Sequence, residues 1–315
     1  RQKIKDEETA EVERTIYIGI IGFIGFCAIL ILVGYYYLRS RNKRKIIESK
    51  RKEIIEKKRE VEEKNKSFIQ NFKYAKSIQE AVLPGNNLEK AIPDSFVYYK
   101  PRDIVSGDFY WVSKTVKNKV LIAVGDCTGH GVPGALMSIM GTAFINEVVS
   151  EDQNVSPAKL LEELRQRVID GLQQKGEVGE ARDGMDISIC LVDTKTNELE
   201  FSGANNPMYL VRDKELMIID ANPQPIGYYI NSHPFTEKSV KLKKGDVMYL
   251  TTDGYQDQFG GPRGRKFMKK KLKEMFVEIS AMSLKEQESY IDKTMIDWMG
   301  KEFQVDDMCI LGFKL

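Results

Sequence analysis

An α+β domain, carried behind a membrane-spanning helix and a long charged helix, is the architecture this sequence predicts. Three features predict it. Residues 15–38, TIYIGIIGFIGFCAILILVGYYYL, contain no charged residue. Residues 42–83 contain neither Gly nor Pro and are rich in Lys and Glu. Beyond residue 90, short β-rich runs follow one another across tight turns, and the helical stretches cluster instead of separating every strand from the next.

The elements follow in order. Residues 1–14 are expected to be a juxtamembrane segment outside the cytoplasm, and the start at Arg1 carries the expectation of an excerpt from a longer protein. At 1.5 Å per residue the run 15–38 reaches roughly 36 Å as a helix, enough to cross a bilayer core. Tyr17 at one end and Tyr35, Tyr36 and Tyr37 at the other suit the two interfaces. Arg39, Arg41, Lys43, Arg44 and Lys45 crowd the C-terminal flank, which assigns a single pass through the cytoplasmic (inner) membrane with residues 39–315 in the cytoplasm. Residues 39–83 form the linker. Ile47, Ile54, Val61, Phe68 and Ala75 recur at sevens, while the companion seam is poor until Phe72. That half-strength heptad favours a parallel coiled coil joining two copies over a single solvated helix held by Glu–Lys pairs. Pro84-Gly85 should end it.

Strands are expected in DSFVYYKP, GDFYWVSK, KVLIAVGD, MDISICLVD, ELEFSGA, MYLVRD, KSVKLKK, DVMYLTTD and MCILGFKL, and helices at about 133–150, 156–174, 266–280 and 284–300. Composition narrows the chemistry. The formal charge of +2 argues against a nucleic-acid partner. Four scattered cysteines form no Cys-x-x-Cys pair, and His130 and His233 are the only histidines, so zinc ribbons and histidine-rich metal sites are excluded. No glycine-rich phosphate loop with its lysine is present.

What remains is a set of carboxylates where apolar runs meet glycine or another acid: Asp108 in SGDFYW, Asp126 in GDCTGHGVPG, Asp253 in TTDGYQDQ, and Asp306 and Asp307 in QVDDM. Any one of them reads as a turn residue. If they share one edge of a sheet, their packed negative charge calls for cations, and an all-oxygen donor set favours Mg²⁺ or Mn²⁺.

In this order GDFYW (107–111), DCTGHGVPGALMS (126–138), SGANNPMYLV (202–211), QPIG (224–227), TTDGYQDQFGG (251–261) and DDM (306–308) resemble the metal-dependent protein phosphatases of type 2C, in their bacterial SpoIIE-like branch. The resemblance covers residues 95–315 and assigns 84–315 as the phosphatase domain. It implies a β-sandwich flanked by helices with two divalent metal ions, Mn²⁺ or Mg²⁺, at one edge. Asp126 would bridge both metals, the backbone carbonyl of Cys127 would be a ligand, and Asp108, Asp253 and Asp306 would complete the set, with Asp307 the second choice to Asp306. Cys309 stands where relatives carry Thr, and Trp111 where many carry an acid. The implied activity is serine/threonine phosphoprotein hydrolysis in signal transduction by a metal-activated water. An anti-sigma-factor antagonist is a common partner in the family. A catalytically silent scaffold is the alternative reading.

Other residues keep two readings. His130 is either a general acid or, the favoured reading, a residue that orients the glycine turn. Arg102 is either a phosphate anchor or, again favoured, a surface salt-bridge partner. Asn205 and Asn206 are read as loop residues. Asp186 is read as structural in preference to a supporting acid.

Overall fold

The computed structural model describes residues 2–83, 87–115, 119–177 and 182–315, and the expected helix break at Pro84-Gly85 lies outside them. Helix α1 (Gln2–Val82) is unbroken, so the expected boundaries at 15, 38 and 83 are changes of composition within one helix. The chain divides into two compact units, Arg1–Gln70 and Asn71–Leu315. In the first, nothing covers the apolar run: Phe23 is 69% and Ile31 72% exposed. The helix is long and apolar enough to cross a membrane. Its charged part is laced by ion pairs one turn apart, Lys57–Glu53 at 2.8 Å, Lys64–Glu60 at 2.7 Å and Arg59–Glu63 at 3.2 Å. Each is worth about 0.2–0.5 kcal/mol.

The second unit holds two five-stranded antiparallel sheets. After the short helix α2 (Asn87–Ala91), the strands are β1 (Ser95–Lys100), β2 (Asp108–Lys114), β3 (Lys119–Cys127), β4 (Met185–Asp193), β5 (Glu198–Ala204), β6 (Met208–Arg212), β7 (Glu215–Ile219), β8 (Lys238–Lys241), β9 (Val247–Thr251) and β12 (Met308–Lys314). One sheet runs β1-β12-β9-β6-β7 and the other β2-β3-β4-β5-β8. A small separate hairpin pairs β10 (Phe259–Gly260) with β11 (Arg265–Lys266). Helices α3 (Gly131–Glu151) and α4 (Pro157–Gly171) accompany the second sheet. The one-turn α5 (Gly254–Asp257) follows β9, and α6 (Lys269–Ile279) and α7 (Leu284–Met299) accompany the first sheet.

The layers follow from alternation along the strands. On β3, Val120, Ile122 and Val124 join the core between the sheets, with Cys190, Phe201, Leu210, Leu250 and Leu311. Leu121 and Ala123 point the other way, toward Met137, Ile145, Leu160 and Leu164 of α3 and α4. Burial of both faces explains why VLIAV (120–124) is a continuous apolar run despite the strand period of two. On the far side, Tyr209, Tyr249 and Ile310 pack on Leu272, Phe276, Ile291 and Met295 of α6 and α7. Tyr249 stacks on Phe276 at 4.1 Å between centroids, and its hydroxyl donates to Gln287 Oε1 at 2.8 Å. Each sheet therefore has one face on its twin and one on a helix pair. Truncating the fully buried Ile122 to Ala is expected to cost about 2–5 kcal/mol, read as a lower denaturant midpoint with an unchanged slope.

Candidate functional site

Antiparallel pairing brings the start of β2, the end of β3 and the start of β4 to one end of their sheet. Asp108 lies opposite Asp126, and Asp126 opposite Asp186. In the other sheet the end of β9 and the start of β12 are likewise neighbours, which carries Asp253 and Asp306-Asp307 to one end. Hydrogen bonds tie the two ends together. Thr252 Oγ1 donates to Asp108 Oδ2 at 2.6 Å, and the same hydroxyl accepts the backbone N–H of Cys309 at 3.0 Å. Tyr99 Oη donates to the Asp108 carbonyl at 3.0 Å.

The mouth of the sandwich is an open cavity of about 270 Å³ whose lining includes Asp126, Cys127, His130, Asp186, Asp253 and Asp306. Asp108 lies behind it, 2% exposed. The two neighbouring acids of QVDDM have separate environments. The Asp307 carboxylate accepts the backbone N–H groups of Arg102 and Gly107, each at 2.7 Å, which pins the loop before β2. Asp306 lines the cavity, and among the described residues its carboxylate accepts the Asp307 N–H alone, through Oδ1 at 2.8 Å.

Crowding dominates the electrostatics. Burial, then repulsion from Asp253, Asp306 and Asp186, pushes the Asp126 carboxyl up to about 8. Burial and Asp126 hold Asp108 far above the ordinary carboxylate range against the opposing bond from Thr252. Asp253 is raised by burial and by Asp257 and Asp306, and it shares a hydrogen bond with Asp126. Asp186 is raised by burial, opposed by Asn205 and Lys269.

The residues fit hard divalent cations. The donors are oxygens, and their charge is repelled into holding protons where cations are lacking. Among the described residues no three acid, His or Cys side chains are already closed around one point, so cations would have to draw the acids inward. A consequence concerns stability. Unfolded, these carboxyls ionise near pH ~4. Folded and metal-free, Asp126 ionises near 8 and the others above the ordinary range. Stability that is fully present below about pH 4 is therefore lost as pH rises through the folded values. In EDTA the melting temperature should fall between pH 5.5 and 8, and Mn²⁺ should restore it at pH 8. A flat melting profile would mean that the acids do not crowd one another.

The remaining expected residues are placed as follows. His130 lines the cavity just before α3, offers no capping bond from its side chain, and sets Nδ1 3.3 Å from Asp103 Oδ2. Arg102 is absent from the cavity lining, and among the described residues its guanidinium donates to the Val305 carbonyl at 3.1 Å and makes no ion pair. Asn205, at φ +58, makes the turn after β5 and donates to Asp186 Oδ1 at 2.8 Å. Asn206 offers its carbonyl to Ser188 Oγ at 2.7 Å. Trp111 donates to Asn146 Oδ1 at 2.9 Å and packs on α3 as part of the core. Cys309 meets Thr252 through its backbone N–H and carbonyl, contacts that place no demand on its side chain.

Two residues were undervalued in the sequence. Asp186 lines the cavity, and only cross-strand register reveals that. Thr252 lies within the quoted TTDGYQ, but nothing in one sequence marks its hydroxyl as the link between the two sheets.

Residues 117–315 match the sequence model of the stage II sporulation protein E family, SpoIIE. The chain belongs to the SpoIIE family. Among relatives, the phosphoserine phosphatase RsbP of Bacillus subtilis (strain 168) is 26% identical over 162 residues, 51% of this chain and 39% of RsbP, so the chain spans well under half of that relative's length. Among solved structures, the SiaA-PP2C domain of Pseudomonas aeruginosa superposes with a TM-score of 0.73 at 31% identity, covering 80% of this chain and 98% of that domain. The PP2C phosphatase domain of SpoIIE from Bacillus subtilis, with a fragment of its regulatory domain, superposes at 0.58 with 18% identity, over 70% of this chain and 61% of that one. The SpoIIE-family domain thus has the PP2C-like phosphatase fold.

Proposed function

We propose that the chain is a membrane-tethered, metal-dependent serine/threonine protein phosphatase that acts on a phosphoprotein in signalling. The observation that carries this reading is the meeting of Asp108, Asp126, Asp186, Asp253 and Asp306 at one end of the sandwich, around an open cavity wide enough for a phosphoryl group. Asp126, Asp253, Asp306 and the Cys127 carbonyl would hold two divalent cations, Mn²⁺ or Mg²⁺, with Asp108 behind them. When bound, the cations would supply Lewis acidity that makes water a nucleophile near neutral pH and offsets phosphoryl charge.

The chain's own residues do the rest. The cavity would admit a phosphoseryl side chain among the acids that line it. Asp103 holds His130 by Nδ1, which leaves Nε2 free to give a proton to the departing seryl oxygen. Asp307, with both oxygens on backbone amides, fixes the loop that leads into Asp108. Among the described residues neither histidine ring hydrogen-bonds to a Ser or Cys side chain, which suits direct attack by water, without a covalent enzyme intermediate.

The uncharged segment 15–38 and the basic flank that follows it support a single pass through the cytoplasmic membrane, with the catalytic domain inside. The heptad positions from Ile47 to Ala75 support a homodimer through the linker helix. The name of RsbP supports phosphoserine as the substrate group, and the family resemblance makes an anti-sigma-factor antagonist the class of protein to test first.

The test is hydrolysis of a phosphoserine peptide by the full chain in Mn²⁺. The catalytic reading expects turnover that Asp253→Ala and EDTA each abolish. Folded, metal-binding protein with no turnover would establish the scaffold reading instead.

A further inference from the structure

The hairpin after Asp253 carries a feature that the acid-lined cavity does not use. Its turn is latched to α7: Gly261 N–H donates to the Trp298 carbonyl at 2.7 Å, and Trp298 Nε1 donates to the Gln258 carbonyl at 3.1 Å. Phe267 meets Trp298 edge-on, with 5.3 Å between centroids. The Lys271 ammonium lies 3.7 Å from the centre of the Trp298 ring. Between the hairpin and the start of α6 lies a second open cavity, about 600 Å³. Phe267, Met268 and Trp298 give it an apolar lining, and Arg263, Arg265 and Lys270 ring it with positive charge. Among the described residues no acidic side chain lines it.

Two details set this place apart from an ordinary solvated surface. Among the described residues, Arg263 and Arg265 have no ion-pair partner. Met268 is held at φ +78, a conformation that favours glycine, with its side chain more than half exposed at the cavity. Backbone of that kind persists where the surroundings impose it, and it clusters at binding sites. The hairpin is also within electrostatic reach of the acid-lined centre. Lys266 pairs with Asp257 at 2.8 Å and is stabilised in its charged form by Asp253 as well.

We propose that this cavity docks an acidic segment of the phosphoprotein substrate. One apolar side chain seats against Phe267 and Trp298, and neighbouring carboxylates pair with Arg263 and Arg265. The identity of the partner rests on the phosphatase reading; the chemistry of the pocket does not. Guanidinium groups pair bidentately with carboxylates, and Trp and Arg dominate the energetics of protein recognition sites. A concave aromatic pocket takes a single inserted side chain, which a lipid surface does not present.

The experiment compares two fluorescently labelled phosphoserine peptides, one with an Asp-Glu-Leu-Glu block beside the phosphoserine and one with Asn-Gln-Leu-Gln. Binding to the full chain in detergent is read by anisotropy in EDTA, where no turnover occurs. The acidic peptide should bind at least tenfold more tightly. R263E/R265E should remove that preference and R263Q/R265Q should reduce it, with hydrolysis of p-nitrophenyl phosphate in Mn²⁺ unchanged in both. Equal binding of the two peptides, or a preference that survives R263E/R265E, would overturn the proposal. So would arginine-dependent binding to phosphatidylglycerol vesicles without binding of the acidic peptide. Arginine-dependent peptide binding by a chain that hydrolyses neither peptide nor p-nitrophenyl phosphate would uphold the docking site and reject the phosphatase reading.

Discussion

Asp126→Ala is expected to lower phosphopeptide turnover by about 10³-fold or more while leaving the domain folded. Asp126 sits at the centre of the acid cluster. It faces Asp108 on one neighbouring strand and Asp186 on the other, and it shares a hydrogen bond with Asp253 from the opposite sheet. No other acid of the cluster has partners on both sides and across the sandwich. Removing one well-placed electrostatic group from a catalytic site costs about 10²–10³ in rate, and a residue expected to touch both cations should cost more. Removing a crowded carboxyl also relieves repulsion, so metal-free Asp126→Ala should melt no lower than the parent at pH 8. Loss of activity together with retained or raised metal-free stability separates a catalytic role from a structural one. A variant with near-parental turnover in Mn²⁺ would remove Asp126 from the chemistry.

The second large effect comes from Gly134, in the first turn of α3. A Cβ there would stand 2.2 Å from the Gly129 carbonyl oxygen and 2.8 Å from the Gly107 Cα. Both obstacles are backbone, and both belong to loops that carry the site. Gly129 precedes His130, and Gly107 precedes Asp108 and donates to Asp307. No side-chain rotation can relieve such contacts, so the helix must move away from the loops. Gly134→Ala is expected to destabilise by about 1–3 kcal/mol, the usual cost of overpacking, and to lower turnover by about 10²-fold, the scale set by displacements near 1 Å. Gly245→Ala, where a Cβ would meet nothing within 4 Å although φ is +94, serves as the control that carries backbone strain alone. Parental activity in Gly134→Ala would show that the close approach of α3 does not position the site.

Sequence reading recovered the elements whose signals are long or chemically distinctive. Helices α3, α4, α6 and α7 fall within a few residues of the expected ranges: α4, α6 and α7 each carry an apolar face, and α4 and α7 also start on capping serines, Ser156 and the Ser283–Glu286 capping box. The nine expected runs all contain strands. Strand β7 escaped because its hairpin turns through Asp213 and Lys214, both at positive φ, with no glycine to announce a reversal. Strands β10 and β11 have two residues each, too short for any period.

The acids were legible as a set because each lies where an apolar run ends. Their separate duties were not. Asp306 and Asp307 are adjacent and alike in sequence, and only the amides of Arg102 and Gly107, far away along the chain, show which one is occupied in holding a loop. The bond from the Arg102 guanidinium to the Val305 carbonyl likewise leaves no trace in the local sequence.

The most direct measurement is a Mn²⁺ titration of the full chain by isothermal calorimetry at pH 8, repeated with Asp126→Ala. Acids from two sheets that together form one cation centre require saturable uptake of two Mn²⁺ per chain, with proton release, and loss of that uptake in the variant. Uptake that is absent, or that survives unchanged without Asp126, would contradict the shared centre and the phosphatase chemistry built on it.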